Sequence, residues 1–144
     1  MVSEEVISSL ELARDVIQTS DYSVVMIKNS QIICKKKGKG IRPILEAIEE
    51  LGETAHGCIV GDRILGKASA LLCLYSKAKA VYSPQATKTA IALLLIGGVP
   101  SQADCLISHI KNRGGTGMCP FEKMLENISS PEEAYEILKE KGDD

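Results

Sequence analysis

The chain has 144 residues, 44% of them apolar and 25% charged, with a formal net charge of −2. That length suits one domain able to bury a core without disulfide or metal staples. The near-neutral charge gives no reason to expect nucleic acid or a membrane surface as a partner. The longest apolar run, Ala90 to Ile96, is far too short to cross a bilayer.

With one Phe, four Tyr and no Trp, the core must be aliphatic. Five cysteines (34, 58, 73, 105 and 119) are scattered without a Cys-x-x-Cys, and four lie in apolar runs, as buried thiols do. This usage, with an acidic amphipathic opening instead of a signal peptide, leads us to expect a reducing, cytoplasmic setting without structural disulfides.

In chain order, apolar residues at Val6, Ile7, Leu10, Ala13 and Ile17 predict a helix over 4–18 with Ser3 as N-cap. Residues 23–27 and 31–35 are β-rich and flank Lys28-Asn29-Ser30, which predicts a hairpin. Lys35-Lys36-Lys37-Gly38-Lys39 at its end reads as a solvated edge that blocks aggregation. A helix over 42–51 follows, with Pro43 in its first turn, then a short strand over 57–60 ending in Gly61-Asp62-Arg63. A small-residue helix over 68–77, apolar nearly all round, is expected to be buried. A central strand over 78–82 leads to Ser83-Pro84, which opens a second buried helix over 85–96, stopped by Gly97-Gly98. A strand over 104–110, a glycine-rich loop over 112–117, a short helix through Leu125 and a last helix capped by Ser130 complete the chain. Strands alternating with helices predict a three-layer α/β/α domain about one mixed sheet, spanning 1–144.

A zinc deaminase places His (or Cys)-Ala-Glu at one helix start and Pro-Cys-x-x-Cys at the next. Here the two slots read Lys67-Ala68-Ser69 and Pro84-Gln85-Ala86-Thr87-Lys88. Together with Val81-Tyr82-Ser83-Pro84, Ala90-Ile91 and Gly97 to Val99, they give about two-thirds of the chain a resemblance to the cytidine-deaminase-like fold. Gly61-Asp62-Arg63, Gly66-Lys67-Ala68, Asn112-Arg113-Gly114 and Cys119-Pro120-Phe121-Glu122 are similar to an uncharacterised prokaryotic family of that fold without its zinc motif. The resemblance implies a fold and a set of positions, and no reaction. Catalytic zinc needs three N, S or carboxylate ligands and an open position. A lysine, a glutamine and another lysine do not supply them, and Ser69 cannot shuttle protons as the missing Glu would. We therefore expect no metal, no cofactor and no zinc deamination.

What remains is a candidate anion site. Helix starts at Gly66–Ala68 and Pro84–Ala86 would offer free amides to one crevice. Lys67 adds a cation and Ser83 a hydroxyl. Asp62 either clasps Lys67 as a local tie or acts as a base raised by burial. Arg113 beside Asn112 and the glycines could grip a carboxylate or phosphate, or belong to a plain connecting loop. Gly114-Gly115-Thr116-Gly117 lacks the Lys-Ser/Thr ending of a P-loop. Cys119, before Pro120 and Glu122, is either an activated thiol at a helix start or a small hydrophobe pinned beneath the loop.

The leading expectation is a metal-free domain that binds a small anionic or nucleotide-like metabolite. Cys119, Lys67 and Asp62 would be its catalytic set if it catalyses at all, and Gly66, Ser83, Asn112, Arg113 and Glu122 its binding residues. The alternatives are a non-enzymatic regulatory module that forms homo-oligomers through its apolar helices, and a thiol redox sensor centred on Cys119.

Overall fold

The computed structural model describes residues 2–108, 110 and 120–141. Helix α1 (Glu4–Thr19) is capped by Ser3, whose hydroxyl accepts from the Val6 amide. Strands β1 (Val24–Lys28) and β2 (Gln31–Lys36) form the hairpin, turning at Asn29 and Ser30, both of positive φ. Helix α2 (Arg42–Leu51) and a 3-10 turn (Gly52–Ala55) lead to β3 (Ile59–Asp62) and β4 (Ile64–Leu65). Then come α3 (Lys67–Tyr75), β5 (Ala80–Thr87), α4 (Lys88–Ile96), β6 (Ser101–Ile107), α5 (Pro120–Met124) and α6 (Pro131–Lys141). Among the described residues, no helix is long and apolar enough to cross a membrane.

The sheet is mixed. β1 lies antiparallel between β2 and β3, whereas β3, β4 and β6 all run parallel to β5. β3 and β4 hold the same offset of 21 residues on one edge of β5, from Ile59↔Ala80 to Leu65↔Ala86. They are two pieces of one strand, parted at Arg63. Proline supplies the reason: at that offset Pro84 falls opposite Arg63, and it has no amide to donate to the ladder there. β6 pairs the other edge of β5, from Val81↔Ser101 to Thr87↔Ile107.

Three layers result. On one face α1 alone buries Val6, Leu10, Ala13 and Ile17 against Val25, Ile27, Ile59, Ala80 and Tyr82. It approaches so closely that a Cβ on Gly61 would stand 2.8 Å from Val25 Cγ1 and 3.1 Å from Ala13 Cβ. On the other face the remaining helices pack Ile44, Ile48, Leu71, Leu72, Leu94, Leu125 and Leu138 over Val24, Met26, Val60 and Val81.

Several expectations need correcting. The chain does not turn helical at Pro84. β5 runs three residues past it to Thr87, because Gln85 and Ala86 find partners in Ile64 and Leu65 on one side and in β6 on the other. The strand predicted over 104–110 occupies Ser101–Ile107, and it lies on the sheet's edge. α4 is not buried all round. Only Ala90 and Leu94 are, while Leu95 and Ile96 are 75% and 84% exposed. Of the thiols, Cys58 and Cys73 are buried, Cys34 is half-buried and Cys105 is exposed.

Candidate functional site

Because β4 and β5 are parallel neighbours in register, α3 and α4 both begin at the carboxyl end of the sheet, at Lys67 and Lys88. The shared position of two helix starts is therefore present, with the second start at Lys88, three residues later than the sequence pattern implies. α4 satisfies its own end: the Thr87 hydroxyl accepts from the Ala90 amide at 3.1 Å. α3 cannot do so, since its N-cap is Gly66 and brings no side chain.

The missing cap comes from α5. Glu122 accepts the Lys67 amide on Oε1 at 2.7 Å and the Ala68 amide on Oε2 at 2.9 Å. Both oxygens of one carboxylate thus sit on two helix-terminal amides, where the dipole favours negative charge. Gly66 makes the room, for a Cβ there would lie 2.3 Å from Glu122 Oε1 and 2.4 Å from Ile110 Cδ1. The Lys67 ammonium completes the tie by donating to the Glu126 carbonyl at 3.0 Å. Lys67 therefore does not clasp Asp62. It holds the turn that follows α5, where Leu125 is fully buried.

Asp62 lies under α3, not at its mouth. It is 6% exposed, and its Oδ2 has no hydrogen-bond partner. Burial raises its carboxyl to about 7, against the opposing pull of the Ser69 hydroxyl, the Ile64 and Arg63 amides and the Arg63 guanidinium. Burial, with a smaller push from Asp62, also holds the Cys73 thiol well above its ordinary value. Ser83 is the in-register neighbour of Asp62 at the 21-residue offset. It is fully buried, and its hydroxyl is closed onto the backbone of Gln85, donating to the carbonyl at 2.7 Å. It does not face the α3 mouth as a helix-start residue, because β5 carries it inside the sheet.

Of the sites predicted from sequence, Gly66, Lys67 and Glu122 converge at one point, and Asp62 borders it through Ser69. Asn112, Arg113 and Cys119 lie outside the described residues. A second polar cluster has no counterpart in the sequence reading. Tyr82 Oη donates to Asp104 Oδ2 at 2.5 Å, Gln18 Nε2 donates to both, and Arg14 stands 3.6 Å from Asp104. Gln18 and Asp104 lie 86 residues apart in the chain, so no local pattern announces the cluster. Two clefts of about 480 and 210 Å³ run along α1, and none of the predicted site residues lines either.

The deaminase zinc does not fit this chain. Its slots hold Lys67, Gln85 and Lys88, the α3 mouth is filled by Glu122, and residues 84–87 are strand where a ligand-bearing helix start would be needed. Among the described residues, no three His, Cys, Asp or Glu side chains gather as a metal site.

The element order and site position define the class: a cytidine-deaminase-like α/β fold. Acinetobacter baumannii RibD superposes on 69% of this chain and 36% of its own, with a TM-score of 0.53 at 13% identity. The chain belongs to the family described as a domain of unknown function, DUF1893 (TM1506), which matches residues 12–141. The crystal structure of the DUF1893 protein TM1506 from Thermotoga maritima covers 98% of this chain and 92% of its own, with a TM-score of 0.84 at 24% identity. No curated protein matches the sequence.

Proposed function

We propose that this is a metal-free binding domain for a small anionic or nucleotide-like metabolite, with its receptor at the mouth of α3. One observation carries the reading: the Glu122 carboxylate sits on the Lys67 and Ala68 amides in a space that Gly66 keeps open. That seat has the shape and polarity to take the carboxylate or phosphate of a ligand. Glu122 is then a built-in stand-in that the ligand displaces. Binding is better supported than catalysis, since Lys67 is engaged with Glu126 and Asp62 is buried beneath the helix. Any covalent chemistry would fall to Cys119, which directly precedes α5 in sequence.

Acetate and inorganic phosphate provide the test, with chloride holding ionic strength constant. Glu122→Ala should lose stability and regain it as acetate or phosphate is titrated, while wild type responds less. A site at 100 times its Kd gains about 2.7 kcal/mol, well within reach of thermal denaturation. Identical responses in wild type and Glu122→Ala would overturn the reading. Iodoacetamide labelling at neutral pH addresses thiol chemistry: slow, ordinary reactivity at Cys119 would remove both the nucleophile and the redox-sensor roles.

A second reading, a non-enzymatic interaction module, is favoured by α4. Its Leu95 and Ile96 are 75% and 84% exposed, and large apolar side chains side by side on a surface commonly mark a contact face.

A further inference from the structure

The two edges of the sheet are built differently. β2 closes one edge with Lys35 and Lys36, followed by Lys37. Lys36 pairs with Glu50, Lys37 with Asp21, and Lys35 lies over the Tyr22 ring. Lysines on an edge strand oppose further pairing. β6, at the other edge, has no such guard. Its one charge, Asp104, is turned to Arg14, Gln18 and Tyr82.

The backbone of β6 is available as well. The Val81 amide donates to the Pro100 carbonyl at 3.0 Å. With the register of β5 and β6, this directs the peptide groups of Gln102, Asp104 and Leu106 toward β5. Those of Ser101, Ala103, Cys105 and Ile107 point away, and among the described residues no strand pairs them. α4 packs against β6, its Leu95 and Ile96 are exposed, and Leu106 of β6 is 53% exposed. From Thr89 to Ala103 the sequence carries no ionisable side chain.

We infer that this edge is a self-association surface on which β6 pairs antiparallel with β6 of a second copy about a two-fold axis. The sheet would continue across both molecules, and the two α4 helices would lie side by side on one of its faces. The inference rests on reading α4 as a contact face and adds the occupant. Charge selects a second copy. A two-fold brings like surfaces together, which the stretch without ionisable side chains from 89 to 103 tolerates, and Asp104 of each copy is already engaged by its own Arg14, Gln18 and Tyr82.

Sedimentation velocity over a wide concentration range tests it. Wild type should approach twice the 15.5 kDa chain mass. Cys105→Pro removes an outward amide that the fold does not use, so it should yield a folded monomer. Leu95→Lys with Ile96→Lys, at exposed positions, should raise the dissociation constant at least tenfold with an unchanged circular dichroism spectrum. Wild type that remains a monomer at every concentration overturns the inference. A dimer weakened by the α4 lysines but not by folded Cys105→Pro overturns β6 pairing while leaving the contact-face reading of α4 intact. A dimer indifferent to both sets of changes overturns the two together.

Discussion

Gly66 and Glu122 fit one another as space and occupant: the hydrogen that serves as the Gly66 side chain leaves the gap that Glu122 Oε1 fills. The glycine is required by that close approach and not by its backbone, whose φ of −109° any residue adopts. An α-helix with no capping side chain of its own has thereby had its first two amides satisfied from 55 residues away in sequence. The same carboxylate marks where a ligand would be read.

Gly66→Ala should accordingly act like the loss of Glu122. The added methyl forces the carboxylate off the Lys67 and Ala68 amides, and we expect a loss of about 1–3 kcal/mol. Glu122→Ala, which leaves the amides to water, should cost about 1–2 kcal/mol. Because both remove one contact, the double variant should be little less stable than the worse single one. Urea denaturation of the four proteins measures this cycle, and strict additivity would show that the two residues do not share the contact.

Asp62 makes stability depend on pH in an unusual direction. Burial lifts its folded carboxyl to about 7 from an ordinary value of 3.8. Below 3.8 both folded and unfolded chains hold the proton, so nothing is lost. Between the two values the folded chain holds a proton that the unfolded chain releases, so this group's contribution falls as pH rises. Above 7 the loss is complete, at about 4 kcal/mol. Asp62→Asn cannot ionise and should escape it. Its melting temperature relative to wild type should climb from pH 5 to pH 8 and then level off. Parallel profiles across that range would mean Asp62 stays ionised throughout.

The α1 layer offers a test of close packing. A Cβ at Gly61 would meet Val25 Cγ1 at 2.8 Å and Ala13 Cβ at 3.1 Å. The Ala13 methyl is fixed to its backbone and Val25 is fully buried with no open space to turn into, so α1 must lift from the sheet. Gly61→Ala should cost about 1–3 kcal/mol. Adding Ala13→Gly should return part of it, as chemical denaturation would register. No loss in the single variant would contradict the contact.

The fold was legible wherever one local signal sufficed. Ser3 and Ser130 as caps, the Asn29-Ser30 turn and the 42–51 helix are each set by residues within four or five positions, and the structure agrees. Pro84 reads as a helix start because proline opens helices, but proline also sits in strands where a ladder is broken. Only the pairing with residues 62–65 decides between these, and that is long-range information. α4 departs from its sequence pattern for a related reason: an apolar sequence states a preference for burial, not whether anything is there to cover it. At the site, the sequence marks Gly66 and Glu122 as ligand-binding and Lys67 as catalytic. That Glu122 itself occupies the seat, and that Lys67 reaches for Glu126, depends on α5 folding back over α3. The Tyr82–Asp104–Gln18 cluster depends on three separate elements meeting and left no trace in the sequence.

Arg63 shows what the break in the β3–β4 strand accomplishes. Freed from the ladder opposite Pro84, its guanidinium donates to the Ile17, Ser20 and Tyr22 carbonyls, with Nη2 at 2.7, 2.8 and 2.6 Å and Nε at 3.1 Å from Tyr22. It therefore caps the carboxyl end of α1, where unpaired carbonyls and the helix dipole both favour a cation. Arg63→Met keeps much of the apolar stem and deletes these bonds, and should cost about 2–4 kcal/mol. Arg63→Lys should recover less than half, because its ammonium lies nearer the backbone than Nη2 and brings no second donor in place of Nε. Hydrogen exchange gives the local readout: amides in the last turn of α1 should exchange faster in Arg63→Met, well beyond the change in β1. Uniform acceleration across the whole protein would show that Arg63 supports global stability without anchoring α1.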